Sequence, residues 1–202
     1  MNRGKQQALI RCTISLMILT AAGAAFGHAE QGVAGGLVSG LLHPIVGPDH
    51  LVAMVAVGLW GAQLKNPAIW ILPVTFPVVM AIGGLLGVAG VTLPFIEMGI
   101  AASALILGAV VAFNARPPLW IAALLVGIFA IFHGHAHGTE LPAAANALAY
   151  GVGFVISTGL LHLAGILLGV LTRWPAGARA IRVCGGAIAT LGAYFLAAVL
   201  LQ

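Results

Sequence analysis

The sequence contains very little charge. Only 6% of its 202 residues are Asp, Glu, Lys or Arg, and 61% are hydrophobic. A soluble domain has roughly one quarter of charged residues, so this composition excludes a water-soluble fold. No sizeable soluble domain fits beside the apolar segments, and we do not expect nucleic acid to be a partner.

Cysteine is almost as scarce, since Cys12 and Cys184 are the only two. Because Cys12 lies in a segment that we expect to be removed, the sequence excludes a disulfide framework and a thiolate metal site. It also lacks a Gly-x-x-x-x-Gly-Lys-Ser/Thr string and space for a nucleotide domain. We therefore expect this chain not to use ATP.

The first residues have the pattern of a secretory signal. Three basic residues precede an apolar run over 12–25, and small residues follow it. We predict that residues 1–27 are a cleaved signal peptide, with cleavage after Gly27 or Ala29, and that residues 28–202 form the transmembrane domain. An uncleaved amphipathic anchor is the alternative.

Beyond this segment, apolar runs alternate with short stretches of Pro, Gly and charge. A run of ~20 apolar residues is long enough to cross the hydrocarbon core as a helix. The pattern predicts an all-α, polytopic membrane protein with six transmembrane helices, over 33–62, 68–88, 95–113, 119–134, 143–171 and 179–201. The first is too long for one straight helix and contains Pro44, Gly47 and Pro48, so we expect it to be kinked or broken.

The basic residues predict the orientation. Translocated loops disfavour Lys and Arg, and beyond the signal all of them fall at span ends that share one side, namely Lys65, Arg116, Arg173, Arg179 and Arg182. That side is predicted to be the cytoplasm of a bacterial cell. The protein is then expected in the inner membrane, with its mature N-terminus and its C-terminus in the periplasm.

The first cluster of ionisable residues comprises His43, Asp49 and His50. An ionisable group costs ~2.5–3.5 kcal/mol at the centre of a membrane helix, so each one needs a partner or a purpose. Pro44 and Pro48 remove backbone donors, and Gly47 permits unusual torsions. We therefore expect freed carbonyls and a half-helix end to join the imidazoles and the carboxylate around a cation. Nitrogen and oxygen ligands without cysteine sulfur suit Ni²⁺, Co²⁺ or Zn²⁺. The alternative is a hydrogen bond that only locks the packing.

The second cluster lies at the end of the fourth predicted span. If the helix continues there, His133, His137 and Glu140 occupy positions i, i+4 and i+7 and share one face, while His135 points away. Two histidines at this spacing with a carboxylate are a common way to hold a divalent ion. A histidine-rich surface loop without a defined site is the alternative.

These two clusters carry a family resemblance. The strings His-Pro-x-x-Gly-x-Asp-His and Phe-His-Gly-x-Ala-His-Gly-x-Glu, which begin at His43 and Phe132, resemble the HupE/UreJ family of hydrogenase and urease accessory membrane proteins. The resemblance implies a nickel or cobalt permease with a signal peptide and about six spans. It implies metal binding by His43, Asp49, His50, His133, His137 and Glu140.

Three other histidines are further candidates for metal binding. His135 occupies a position that looks variable in the family pattern. His28 becomes the first residue if cleavage follows Gly27, and it then offers an amine and an imidazole for capture outside the cell. His162 lies deep in the fifth predicted span, where it either lines the route of the ion or is a packing histidine with a satisfied hydrogen bond.

The partners that we expect are a divalent metal ion and the lipid bilayer. The resemblance implies metallochaperones and hydrogenase or urease maturation proteins as further partners. A second copy of the chain, in a homo-oligomer, is another candidate partner. We expect no prosthetic group, because Ni²⁺ or Co²⁺, with Zn²⁺ as a further candidate, is the transported ion.

The predicted function is therefore uptake of Ni²⁺ or Co²⁺, driven by the membrane potential or an ion gradient, without enzymatic activity. Two alternatives remain at this point. One is an intramembrane zinc-dependent hydrolase, although the sequence has no His-Glu-x-x-His and no Gly-x-Ser-x-Gly string. The other is a bis-histidine haem protein in which His43 faces His50 or His162.

Overall fold

The computed structural model describes residues 32–141 and 146–201, and within these ranges it contains helices and no strand. The predicted signal peptide and His28 lie outside the described residues. The helices are α1 (Gly32–Val46), α2 (Pro48–Leu64), α3 (Ala68–Val88), α4 (Ile96–Ala112), α5 (Leu119–Thr139), α6 (Ala147–Gly169) and α7 (Pro175–Leu200), with a 3₁₀ turn at Val170–Arg173. The predicted all-α class is confirmed.

Most of these helices have the length and composition of membrane spans. Helices α3, α5, α6 with its 3₁₀ turn, and α7 are each long and apolar enough to cross a bilayer, and α1 and α2 meet the same test only as a bent pair. Helix α4 is also apolar but has 17 residues. The chain is a helical membrane protein, and six crossings remain a prediction.

The predicted break in the first span lies at Gly47. Helices α1 and α2 meet there at a bend of 80°, and Pro48 begins α2, where a missing backbone donor costs nothing. Gly47 does not use the torsional freedom of glycine, because its φ of −78° and ψ of 105° are extended. Backbone hydrogen bonds continue on both sides of the break, since the carbonyls of His43 and Gly47 accept from the backbone N–H groups of Gly47 and Leu51.

Space, rather than torsion, explains the glycine at this break. A Cβ atom at Gly47 would lie 3.3 Å from Nδ1 of His50 and 3.4 Å from Oδ1 of Asp49. The hydrogen atom of glycine therefore lets the chain pass close to two of the predicted site residues.

Helix α5 continues beyond its predicted end at residue 134, as far as Thr139. The glycines near this end of α5 do not terminate the helix. They lie at its contact with α3, where small residues are needed. A Cβ atom at Gly134 would lie only 1.9 Å from the carbonyl oxygen of Met80, so the two backbones are in direct contact, as small residues in membrane helices permit. The second histidine cluster is consequently helical.

Two other helix starts differ from the predicted ones. Helix α6 begins after Asn146, whose side chain accepts a hydrogen bond from the backbone of Ala149 and caps the helix. Helix α7 begins at Pro175, ahead of the predicted residue 179, because proline is well placed in the first turn.

Helix α2 lies at the centre of the bundle. Many of its side chains are fully buried, among them Met54, Leu59 and Trp60, and it packs against α3, α4, α6 and α7. Glycines again allow close contact, since a Cβ atom at Gly58 would lie 2.1 Å from the carbonyl oxygen of His162. The core thus fixes the position of α2 relative to α6.

The loops that carry basic residues meet at one end of the bundle. Trp60 donates from Nε1 to the carbonyl of Ala115 over 2.9 Å, and Arg182 donates from Nε to the carbonyl of Ala112 over 2.8 Å. These bonds join the ends of α2 and α4 to the start of α7.

Candidate metal centre

Side chains from three helices converge beside the break between α1 and α2. His43 comes from α1, His50 from α2, and His133 and His137 from α5. Glu140 is the residue that follows α5. Both sequence motifs therefore contribute to one place in the fold.

The residues form two groups of three. The inner group, defined as His50, His133 and His137, is buried, and the outer group, defined as His43, His137 and Glu140, is partly open. Within each group, one ligand atom of every residue lies within 4.8 Å of the others. The sequence predicted one separate site per motif, whereas the structure combines the motifs and shares His137.

Asp49 orients His50 and belongs to neither group. Its Oδ1 atom lies 2.8 Å from Nδ1 of His50 and accepts the backbone N–H of the same residue over 2.9 Å. The Nε2 atom of His50 is buried and has no hydrogen-bond partner within residues 32–141 and 146–201. A carboxylate that holds the far nitrogen of a histidine is a common support for metal ligands, because it fixes the ring and raises its basicity.

Ser103 of α4 contacts the next member of the inner group. Its Oγ atom lies 2.9 Å from Nε2 of His133, and the Nδ1 atom of His133 is buried without a partner. Sequence analysis did not identify Ser103. The available signal was a single hydroxyl group in the apolar helix α4, since polar side chains inside a membrane usually bond to another helix.

His137 lies at the junction of the two groups. Its ring centroid is 4.7 Å from that of His43, 4.5 Å from that of His50 and 4.0 Å from that of Phe154. Both of its ring nitrogens are buried without a hydrogen-bond partner among the described residues. Its ring also lies beside the midpoint between His43 and His50, which leaves no room for a porphyrin between them.

The unpartnered nitrogens fit a bound cation. Buried polar atoms cost free energy unless they bond, and the inner group has four such atoms, namely Nε2 of His50, Nδ1 of His133, and Nδ1 and Nε2 of His137. Neutral imidazole nitrogen is a good ligand for nickel, cobalt and zinc. A divalent ion of this kind would satisfy atoms that the protein leaves without partners.

The outer group adds a negative charge. Nε2 of His43 lies 3.4 Å from Oε2 of Glu140, which is 4.0 Å from Nδ1 of His137. The imidazole of His43 beside it lowers the pKa of Glu140 below its usual value, so this carboxylate is ionised at neutral pH. The side chain of Glu140 is 49% exposed and that of His43 is 34% exposed, and both can meet an ion from outside.

The remaining candidate histidines lie apart from the two groups. His135 points away, as its place on the helix predicts, and its Nε2 atom lies 2.5 Å from the carbonyl oxygen of Val91. His162 is buried with Nδ1 3.3 Å from the carbonyl oxygen of Pro73, and its ring packs against Phe76.

Comparisons with known proteins identify relatives of the chain. The family model of the HupE / UreJ protein matches residues 16–195. The curated Protein HupE of Rhizobium leguminosarum bv. viciae is 48% identical over 170 residues, which cover 84% of this chain and 89% of that protein. No solved structure matches the chain.

Proposed function

This chain belongs to the HupE/UreJ family, and we propose that it imports Ni²⁺ or Co²⁺ across the bacterial inner membrane. The observation that carries the proposal is the convergence of unpartnered imidazole nitrogens from α2 and α5 within one buried group. Burying ionisable side chains inside a membrane costs free energy. Binding of a transported dication would offset this cost and explain their presence.

The two groups provide a route inward. The outer group is partly exposed and contains the ionised carboxylate of Glu140, so it captures the ion and begins to replace its water ligands. The inner group is buried and consists of three imidazoles. Because His137 belongs to both groups, the ion passes between them without losing all of its protein ligands at once.

The donor atoms favour nickel and cobalt as cargo. Imidazole nitrogen with one carboxylate suits the later first-row divalent ions, whereas Mg²⁺ and Ca²⁺ prefer sites made of oxygen. Zn²⁺ fits the same donors, and the cell selects among these metals by availability as well as affinity. Nickel and cobalt are preferred over zinc because of the family to which the chain belongs.

We propose that the membrane potential supplies the energy. A dication that moves inward gains about 4.6 kcal/mol per 100 mV, twice the value for a single charge. The end of the bundle where Lys65, Arg116 and Arg173 lie faces the cytoplasm in this proposal. The outer group then opens toward the periplasm. A cleaved signal peptide over residues 1–27 would place the mature N-terminus, at residue 28, on the same side.

An uptake assay tests the proposal directly. Proteoliposomes that contain the purified chain receive radioactive nickel or cobalt outside and a potassium diffusion potential, negative inside, set by valinomycin. Uptake should require both the protein and the potential. The double variant His50→Gln, His133→Gln should lose uptake, while the Cys184→Ser variant, changed on α7 away from the histidines, should retain it. Equal uptake by the double variant and the wild type would refute the proposal.

A hydrolytic activity is not part of the proposal. Three imidazoles can hold a catalytic zinc ion with an open fourth position, so the inner group alone does not separate an enzyme from a permease. Turnover of amide or ester substrates that depends on zinc, in the absence of nickel or cobalt uptake, would favour the hydrolase instead. We expect uptake without turnover, and we expect the imported ion to reach metallochaperones or hydrogenase and urease maturation proteins.

A further inference from the structure

The hydroxyl group of Ser103 makes two polar contacts in a completely buried position. Its Oγ atom lies 2.6 Å from the carbonyl oxygen of Ile100, one helical turn earlier, and 2.9 Å from Nε2 of His133. The exposed fraction of both Ser103 and His133 is 0%. No water therefore competes for either contact.

The two contacts determine which atom carries each hydrogen. A hydroxyl group has one hydrogen, and a carbonyl oxygen can only accept, so the short contact with Ile100 uses the hydrogen of Ser103. The oxygen of Ser103 is then an acceptor toward His133. A neutral imidazole can donate to it only from a protonated Nε2 atom.

The tautomer decides which nitrogen of His133 can bind a metal ion. With the hydrogen on Nε2, the lone pair is on Nδ1, which is buried and unpartnered. His50 has the opposite arrangement, because Nδ1 faces Asp49 and Nε2 is unpartnered. The ring centroids of the two histidines are 4.7 Å apart, and each ring has a ligand nitrogen within 4.8 Å of one on the other, so one ion can reach both rings.

We propose that Ser103 is a positioning residue of the inner group, which holds His133 in the Nε2–H tautomer so that Nδ1 is its metal-binding atom. This proposal rests on the proposed function for the identity of the ion. The tautomer itself is a property of the metal-free protein. Losing Ser103 leaves His133 free to place its hydrogen on Nδ1 and so to block the ligand atom.

Nitrogen NMR of the metal-free protein tests the tautomer. The purified chain, labelled with ¹⁵N in its histidines and placed in lipid nanodiscs, should show a protonated Nε2 and an unprotonated Nδ1 for the signals that disappear in His133→Gln. The Ser103→Ala variant should show both tautomers at this residue. A protonated Nδ1 at His133 in the wild type would overturn the proposal, whether or not the protein transports nickel.

Nickel binding by calorimetry tests the consequence. The Ser103→Ala variant should bind Ni²⁺ about 10- to 100-fold more weakly, the usual effect of losing a residue that supports a metal ligand, and Ser103→Thr should restore the affinity because it keeps the hydroxyl group. Thr158→Val is the matched control, since Thr158 is also fully buried and donates only to Sδ of Met80.

The two measurements keep the two proposals apart. Unchanged nickel affinity in Ser103→Ala, with a normal affinity in the control, would overturn the role of Ser103. A wild-type chain with the expected tautomer and no nickel or cobalt binding would instead overturn the proposed function.

Discussion

The imidazole of His137 lies against those of both His43 and His50, with ring centroids 4.7 Å and 4.5 Å away. His43 belongs to the outer group and His50 to the inner group. His137 is the residue that joins capture at the surface to binding inside the membrane.

We therefore expect His137→Gln to abolish nickel and cobalt uptake, because the substitution removes a ligand from both groups. The matched control is His135→Gln on the same helix, where glutamine can still donate to the carbonyl of Val91. Uptake into proteoliposomes should separate the two variants. Equal loss in both would contradict the assignment of His137 as the shared ligand.

Substitutions of Asp49 should weaken metal binding, and alanine should have a larger effect than asparagine. Asp49→Asn keeps an oxygen that accepts from His50 but removes the charge, and Asp49→Ala removes the acceptor altogether. We expect the alanine variant to bind nickel about 10- to 100-fold more weakly, as for other supports of metal ligands, and the asparagine variant to be intermediate. Calorimetry on the purified chain measures this order, and an alanine variant with wild-type affinity would show that Asp49 has no part in the site.

Uptake should fall as the pH is lowered from about 8 to 5, because protons compete with the metal for imidazole lone pairs. The neighbouring imidazole of His43 keeps the pKa of Glu140 below its usual value, so this carboxylate stays ionised throughout the range. The Glu140→Gln variant should therefore lower the rate without changing the shape of the pH profile. The assay holds the membrane potential and the free nickel concentration constant, and a flat wild-type profile would count against imidazole ligation.

The contact between α3 and α5 should be sensitive to a single methyl group. In Gly134→Ala the new Cβ atom would meet the carbonyl oxygen of Met80 at 1.9 Å, and overpacking of this kind costs about 1–3 kcal/mol or more. Gly159→Ala is the control, since nothing lies within 4 Å of its Cβ position. Thermal unfolding in detergent should show a lower Tm for the first variant only, and an unchanged Tm in both would contradict the described helix contact.

The two groups should hold one ion at a time. Two dications about 5 Å apart repel by roughly 13 kcal/mol at an effective dielectric constant of about 20, and Glu140 is the one carboxylate within the two groups. Calorimetric titration should therefore give one nickel ion per chain. The His28→Ala variant serves as the control, because it removes a second site at the N-terminus. Two nickel ions per chain in this variant would contradict the sharing of His137.

The parts of the fold that depend on local sequence were predictable. The break at Gly47 follows from Pro48, which lacks a backbone donor and begins α2, whereas Pro44 lies inside α1 without ending it. The start of α3 at Ala68 follows from the end of a polar loop. The shared face of His133, His137 and Glu140 follows from the helical period, provided that the helix continues past residue 134. Each of these expectations uses only residues that are close in the chain.

The parts that depend on helix contacts were not predictable. Helix α5 continues to Thr139 because its glycines pack on the backbone of α3, and glycine alone does not distinguish this from a helix end. The pairing of Ser103 with His133 and the division of the histidines between two groups depend on how four helices cross. One amino-acid sequence does not show which helices cross or where they meet.

The bend at Gly47 separates two of the histidines of the site. His43 is attached to α1 and His50 to α2, and the two helices are connected by one non-helical residue. Since α2 is fixed in the core, a rotation about this joint would move His43 away from Glu140 and leave His50 in place. The place of His43 in the outer group therefore depends on the angle between α1 and α2, whereas the inner group is built on α2 and α5 alone.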